Sequence, residues 1–277
     1  CPNGSLLLAE GPAEQELKKT HRALKKNHLV SRWLSWNQAT RLVSVLGAAH
    51  FKKALYSPSD AMVDIQGLLR EFIKALKKRG VRILRGHKIQ TISKKNKLFK
   101  IRTAQKYFYA KKVVNAAGAW AGIVGKKAQA TNIPFKAYRR HLFYADPITG
   151  FKTDWPFVWD LSCDLYFRPQ GNQLMLSACD KVLFQMNARK SSYGPDPRIQ
   201  QVLMEKLGRF SRSFPKLKIR KQVAGLRSMV PDGRFVIGED PKLSNFFWVT
   251  ALGGHGVTTA FSVGWLASDI ILGKKAD

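Results

Sequence analysis

With 277 residues, 45% of them hydrophobic, the chain can bury one large core or two modest ones, which excludes disorder as its resting state. Its three cysteines, Cys1, Cys163 and Cys179, lie far apart with no Cys-x-x-Cys pair; no metal is expected, and a reducing setting fits, cytoplasmic or peripheral to the inner membrane. The net charge of +30 would suit a polyanion, but the basic residues come as small clusters along the whole chain, from Lys18-Lys19 to Lys274-Lys275, and read first as a general basic surface.

No signal-peptide pattern is readable over Cys1 to Glu16, and a start without methionine reads as a truncation or a partial gene product. Residues 1–58 hold a short apolar run, Leu6 to Leu8, a charged helical stretch near Ala13 to Asn27 and a second helical pattern from Trp33 to Leu46. Asp64 can cap a helix carrying Leu68, Leu69, Phe72, Ile73 and Leu76 at helical spacing, with Gly80 ending it. A strand at Val81 to Leu84 follows, then two alternating runs, Leu98 to Thr103 and Tyr107 to Ala110, preceded by a polar turn at Lys94 to Lys97.

Val113-Val114-Asn115 reads as a parallel core strand entering the small-residue turn Ala116-Ala117-Gly118. From Ile133 to about Gln222 the chain changes character: aromatic-rich strands divided by proline and glycine predict an antiparallel sheet and a second domain. One amphipathic helix lies near Ile199 to Phe210. Phe246 to Ser268 carries no charge over 23 residues, yet Gly253, Gly254 and Gly256 would fall inside any membrane span; a strand, a glycine turn and a buried helix from about Val257 explain it better.

That turn carries the chemistry. A helix start presents free N–H groups and the positive end of a macrodipole, and glycines let a flat ligand approach the backbone. A ring that becomes anionic on accepting a hydride would be stabilised there. By itself the segment is equally a plain connection between a strand and a helix.

The residues Val113-Val114-Asn115-Ala116-Ala117-Gly118-Ala119-Trp120, Ala224-Gly225-Leu226-Arg227-Ser228, Pro231-Asp232-Gly233, Ile237-Gly238 and Phe246 to Gly256 occur in an order that resembles the D-amino-acid oxidase and dehydrogenase family of flavoenzymes. The pair Arg139-Arg140 before an aromatic strand, with Phe246-Phe247-Trp248-Val249, is most similar to the D-arginine and D-amino-acid dehydrogenase branch. The resemblance implies an α/β fold, α+β overall: a partial Rossmann-like FAD-binding domain at 59–125 and 224–277, sharing one mostly parallel sheet, and an antiparallel-sheet substrate domain at 1–58 and 126–223. It implies FAD as cofactor. Ile89 would meet the adenine end through its backbone, Ala116, Ala117, Gly118 and Trp120 would follow the nucleotide half, and Gly253, Gly254, His255, Gly256, Val257 and Thr258 would line the isoalloxazine.

For an amino-acid substrate the resemblance implies Arg227 and Arg140 as carboxylate partners, a role suited to a planar guanidinium, with Tyr166 as a further polar contact and His255 beside the substrate. Structural readings stand beside these: an internal salt bridge for Arg227, surface charge for Arg140, a core tyrosine for Tyr166, a plain loop residue for His255. No residue is singled out as a catalytic acid or base. The family's front strand, Gly-x-Gly-x-x-Gly turn and acidic ribose partner are absent from these residues. The expected reaction is oxidative deamination of an amino acid or amine, with oxygen or a quinone as final electron acceptor. The alternatives are a basic RNA-binding relative acting on a tRNA-attached amine, and an inactive truncated fold.

Overall fold

The computed structural model describes residues 3–186, 193–211, 214 and 216–274, so Cys1 and Lys275 lie outside the described residues. It is a mixed α/β fold with one large mixed sheet and two small ones. The chain divides into two compact units: Cys1–Asp64, Arg140–Lys181 and Gly194–Gly225 form the first, and Ile65–Arg139, Val182–Tyr193 and Leu226–Asp277 the second. Residues 126–139 and 182–193, placed by the sequence with the antiparallel part, group with the second unit, and residues 59–64 with the first.

In the first unit the apolar run becomes the strand Ser5–Ala9, buried at every residue except Leu7, which is partly covered. It pairs antiparallel with Lys53–Ser57 on one edge and parallel with Phe157–Asp160 on the other. A strand enclosed in this way needs apolar residues on both faces, which is why it shows no alternation. Outward from Phe157–Asp160 come Leu165–Gln170, Gln173–Ser177 and the part of the strand Lys136–Ala145 that belongs to this unit, from Arg140 on, all antiparallel; Arg32–Leu34 forms the far edge beyond Lys53–Ser57. The helix Arg198–Phe210 buries Ile199, Leu203, Leu207 and Phe210, one stripe of a 3.6-residue period, each worth about 2 kcal/mol of apolar burial. Buried His141 ties this unit further: its Nδ1 lies 2.7 Å from Asp180 Oδ2, and its Nε2 accepts the Asp196 amide at 2.9 Å, which places the ring hydrogen on Nδ1.

The helical pattern read over Trp33 to Leu46 is corrected to a strand, Arg32–Leu34, a short helix, Trp36–Leu42, and a 3-10 segment, Ser44–Ala48. Ser35 sets the boundary through a capping box: its hydroxyl accepts the Gln38 amide while Gln38 Oε1 accepts the Ser35 amide.

In the second unit Ile89–Lys95, Leu98–Thr103 and Tyr107–Ala110 form an antiparallel sheet whose first turn places Asn96 and Lys97 at φ 49° and 66°, as a two-residue hairpin loop requires. A separate sheet runs in the order Val236–Glu239, Phe246–Thr250, Val113–Asn115. Val113–Asn115 is parallel to Phe246–Thr250, as the sequence requires of a shared sheet, but the other pair is antiparallel, so the expected mostly parallel sheet is one parallel and one antiparallel ladder. Val81 to Leu84 is not a strand: Val81, Ile83 and Leu84 are exposed, and without a partner ladder an apolar run has no reason to extend.

The core of this unit gathers on Trp248. The indole is buried, donates through Nε1 to Asp240 Oδ2 at 2.9 Å, and packs against Phe135 and Phe246. Burial alone would raise the Asp240 carboxyl, but the bonds from the Trp248 indole and the Thr131 and Lys242 amides outweigh it and hold it below the usual carboxylate range. Gly125, in the short helix Ala121–Lys127, makes room for that ring.

Two helices show apolar faces without cover among the described residues. Ile65–Lys78 buries no residue and leaves Leu69 51% exposed; Ala260–Leu272 buries only Val263 and Ala267, with Phe261 at 69% and Trp265 at 63%. The buried helix expected after the glycine turn is therefore corrected: the helix forms, but Phe261, Trp265 and Leu272 are exposed and Leu266, Ile270 and Ile271 are only partly covered. No helix among the described residues is long and apolar enough to cross a membrane, and none of their His, Cys, Asp and Glu residues cluster in a way that could hold a metal.

Candidate active site

The site is built in the second unit, where two turns meet the end of the strand Ile219–Met229. Asn115, buried at the end of its strand, donates from Nδ2 to the Ala121 carbonyl at 2.9 Å and accepts the Ala117 amide on Oδ1, so one side chain shapes the Ala116-Ala117-Gly118 turn. Thr250 Oγ1 donates to the Gly118 carbonyl at 3.3 Å, fastening that turn to the end of Phe246–Thr250. The chain then reverses through Ala251 at φ 59°, a left-handed conformation that costs a residue with a Cβ roughly 1 kcal/mol, and Gly253 at φ 55°. The Gly253 amide donates to the Ser228 carbonyl at 3.1 Å, and this bond brings Arg227 and Ser228 to the glycine turn.

The helix starts later than the sequence suggests, at Ala260. Val257 and Thr258 lie in the turn before it, where Thr258 and Thr259 both donate their hydroxyls to the His255 carbonyl. The amides of Gly254, Gly256, Val257 and Thr258 have no acceptor among the described residues. They stand ahead of a thirteen-residue helix whose dipole adds positive potential to the same place.

Arg227 lies against this turn. A Cβ placed on Gly254 would sit 3.0 Å from Arg227 Cζ and 3.2 Å from both terminal nitrogens, so glycine is what allows the guanidinium to rest on the backbone. A cavity of about 360 Å³ opens at the turn, lined by Ala116, Gly118, Ser228, Thr250, Gly253, Gly256 and Gly264 among others; Arg227 and Gly254 are not among its lining residues. A Cβ on Gly118, Gly253 or Gly264 would meet no protein atom, so the backbone there is open to a flat group. The volume lies at the low end of small-molecule sites, about 300–1,000 Å³: it takes a ring system rather than a whole dinucleotide.

Sequence reasoning missed Ser228. The residue lines this cavity, and its Oγ is buried with no hydrogen-bond partner among the described residues. A hydroxyl so placed costs about 1–3 kcal/mol unless something bonds it. Ser228 stood in the quoted Leu226-Arg227-Ser228 run, but only the fold shows that it lines a cavity and that its hydroxyl is buried.

The remaining expected residues are dispersed. Ile89 opens its strand with its carbonyl accepting from Lys127 Nζ, and Trp120 packs edge-on against Tyr193 at 5.8 Å; neither lines the cavity. His255 is exposed, its ring 6.3 Å from that of Phe235. Arg140 and Tyr166 belong to the first unit. There Tyr166 packs its ring against Phe157 at 5.2 Å and Trp159 at 6.3 Å. Arg140 sits beside Cys179, whose thiol burial pushes up and the guanidinium pulls partly back, and its own Nε is buried with no partner among the described residues.

The residues present fit the flavin end of FAD: open glycine backbone, unpaired amides, a helix N-terminus and a buried hydroxyl. For the pyrophosphate the 277 residues hold no Gly-x-Gly-x-x-Gly turn.

The family described as DAO, FAD dependent oxidoreductase, matches residues 1–270. Among curated relatives, mitochondrial sarcosine dehydrogenase of Homo sapiens is 25% identical over 257 residues, covering 88% of this chain, and glycine oxidase of Bacillus subtilis (strain 168) is 25% identical over 227 residues, covering 81%. The chain spans 28% of the first and 58% of the second. L-proline dehydrogenase from P. horikoshii shares the fold at a TM-score of 0.84 with 19% identity, covering 99% of this chain and 74% of that one. Glycine oxidase from Geobacillus kaustophilus does so at 0.81 with 18% identity, covering 100% and 72%.

Proposed function

Because the chain belongs to the DAO family of FAD-dependent oxidoreductases, we propose that it serves the oxidation of a carbon–nitrogen bond in a small amino acid. Bound FAD supplies the acceptor for a hydride from the α-carbon. As the hydride leaves, the amine lone pair closes a C=N bond and the nitrogen sheds a proton; water then adds, giving a 2-oxo acid and ammonia, or a free amine from an N-substituted substrate. The observation that carries the reading is the Arg227 guanidinium resting on Gly254, which would hold the substrate carboxylate beside the unpaired amides of the glycine turn. Those amides and the helix dipole would oppose the negative charge that arrives with the hydride.

The relatives' names speak of sarcosine, glycine and L-proline, all small and two of them N-substituted. Our reading of the Arg139-Arg140 pair adds the D-amino-acid branch as the finer proposal. An FAD-loaded preparation should be screened with sarcosine, glycine and both enantiomers of proline, alanine and arginine, with either oxygen or a quinone analogue as acceptor. No turnover with any of them would overturn the amine reading; turnover of the L-enantiomers alone would overturn the branch.

Two further results are expected. The 277 residues alone should bind FAD weakly, because no glycine-rich phosphate turn converges on the pyrophosphate and the cavity is too small for the dinucleotide. Quenching of FAD fluorescence on titration measures this; tight stoichiometric binding would mean that residues 1–58 hold an unrecognised phosphate site. Ser228→Ala should weaken flavin binding about fivefold, the loss of one hydrogen bond worth about 1 kcal/mol, while leaving thermal stability unchanged or raised, since a buried unpaired hydroxyl is removed. Unaltered riboflavin affinity would show that Ser228 does not touch the ring.

A further inference from the structure

The first unit carries a basic, aromatic cleft built from residues outside the candidate flavin site. One cavity, of about 580 Å³, is lined by Lys18, His21, Arg22, Trp33, Lys52 and Lys53 along with Leu34 and Ser35; a second, of about 360 Å³, is lined by Arg32, Gln38, Arg41, Leu42 and Tyr56 and shares Trp33 and Leu34 with the first. Trp33 is thus the wall between two adjoining basic hollows. No aspartate or glutamate lines either one.

Local structure explains the gathering. Lys18, His21 and Arg22 recur at i, i+3 and i+4 on the helix Glu14–Lys26 and so share a face. Trp33 sits mid-strand on the edge of the large sheet, and Lys53 opens the neighbouring strand, where Trp33 is paired with Leu55. His21 Nδ1 lies 2.8 Å from Ser31 Oγ, and its ring sits 5.1 Å from that of Trp33, which steadies the indole while 40% of that residue stays open to solvent. Arg32 lies over the Tyr56 ring at 5.3 Å. None of Lys18, Arg22, Lys52, Lys53, Arg32 and Arg41 pairs with a carboxylate among the described residues, so their charge is available to a ligand.

We propose that this cleft binds single-stranded nucleic acid, with phosphates on the lysines and arginines of both hollows and a base stacked on Trp33. Cations alone would suit any polyanion. The exposed indole standing between two cationic hollows is what selects a chain that alternates phosphates with flat bases, since stacking platforms flanked by backbone-tracking charge are how single strands are held without sequence preference. The inference is independent of the flavin site, which lies in the other unit.

The test is fluorescence anisotropy of labelled U15 and dT15 with the 277-residue chain. Affinity should fall about 50-fold between 50 and 200 mM salt, as neutralising roughly four phosphates of a single strand requires. Trp33→Ala should weaken binding about tenfold without changing that salt slope, and Trp33→Phe should restore most of the loss. Lys52→Gln with Lys53→Gln should lower the slope by about 1.4. All three side chains are exposed, so the variants should fold, which circular dichroism checks. Absence of binding overturns the proposal, as does binding that Trp33→Ala and the double lysine variant leave untouched, which would assign it to the diffuse charge of +30. A mononucleotide bound as tightly as the 15-mer, or phosphatidylserine vesicles bound in preference to it, would overturn it equally.

Discussion

Replacing Arg227 with alanine should lower kcat/KM toward the amino-acid substrate more than 100-fold in an FAD-loaded preparation, about 3 kcal/mol of lost transition-state binding. The magnitude follows from what the guanidinium would do: two parallel hydrogen bonds to a carboxylate, charge-assisted, in a site partly shielded from water. Arg227→Lys should recover only part of this, because an ammonium can match the charge but not the fork. The loss should appear for substrates with a carboxylate and shrink for amines lacking one, which separates a carboxylate clamp from a general collapse of the turn. An equal loss for both kinds of substrate would assign Arg227 a structural role on Gly254 instead.

Gly125→Ala should destabilise the second unit by about 2 kcal/mol. A Cβ at this position would come 2.2 Å from Trp248 Cη2, far inside contact distance. The ring cannot easily retreat, since it is hydrogen-bonded to Asp240 and wedged between Phe135 and Phe246. Overpacking of this kind costs up to about 3 kcal/mol, and the gain of about 1 kcal/mol from alanine's better helix propensity does not cancel it. Gly122 is the control: its Cβ would stop 3.3 Å from Phe135 Cδ2, a contact a small ring shift relieves, so Gly122→Ala should be close to neutral. Thermal denaturation followed by Trp fluorescence measures both, and a Gly125→Ala protein as stable as the parent would show that this packing is looser than the contacts imply.

How much of this was legible in the sequence depended on whether the signal was local. The helix Arg198–Phe210 follows from its period and formed close to where the pattern placed it, while the polar turn read at Lys94 to Lys97 narrowed to Asn96 and Lys97, because Lys94 and Lys95 belong to the strand Ile89–Lys95, which the sequence reading did not place. Val81 to Leu84 had the right apolar content but no partner to cover it among the described residues, and the helix Ala260–Leu272 is covered only in part; burial is a property of the partner as much as of the segment. At the site, the small residues of 116–118 and 253–256 were readable because close approach demands them. Ser228 was not, because a serine in the sequence carries no mark of whether its hydroxyl meets solvent or is buried. Ser35 could have been read: a serine followed three residues later by glutamine marks a helix start, and it divided a stretch taken as one.

The division of the chain into interleaved segments also bears on how the protein is made. The backbone passes between the units after residues 64, 139, 181, 193 and 225, so neither unit is a continuous piece of chain. Ser5 must wait for Phe157, and Val113 for Phe246, before its strand has a parallel neighbour. At a synthesis rate of roughly 5–20 residues per second, the first strand emerges about 8–30 s ahead of that partner. Its other neighbour, Lys53–Ser57, arrives sooner and closes an antiparallel pair, so the early product is an apolar ladder with one open edge. Completion of both units is therefore a late event in synthesis, and holding that ladder apart from other nascent chains until the partner strand arrives is a demand that this topology places on the cell.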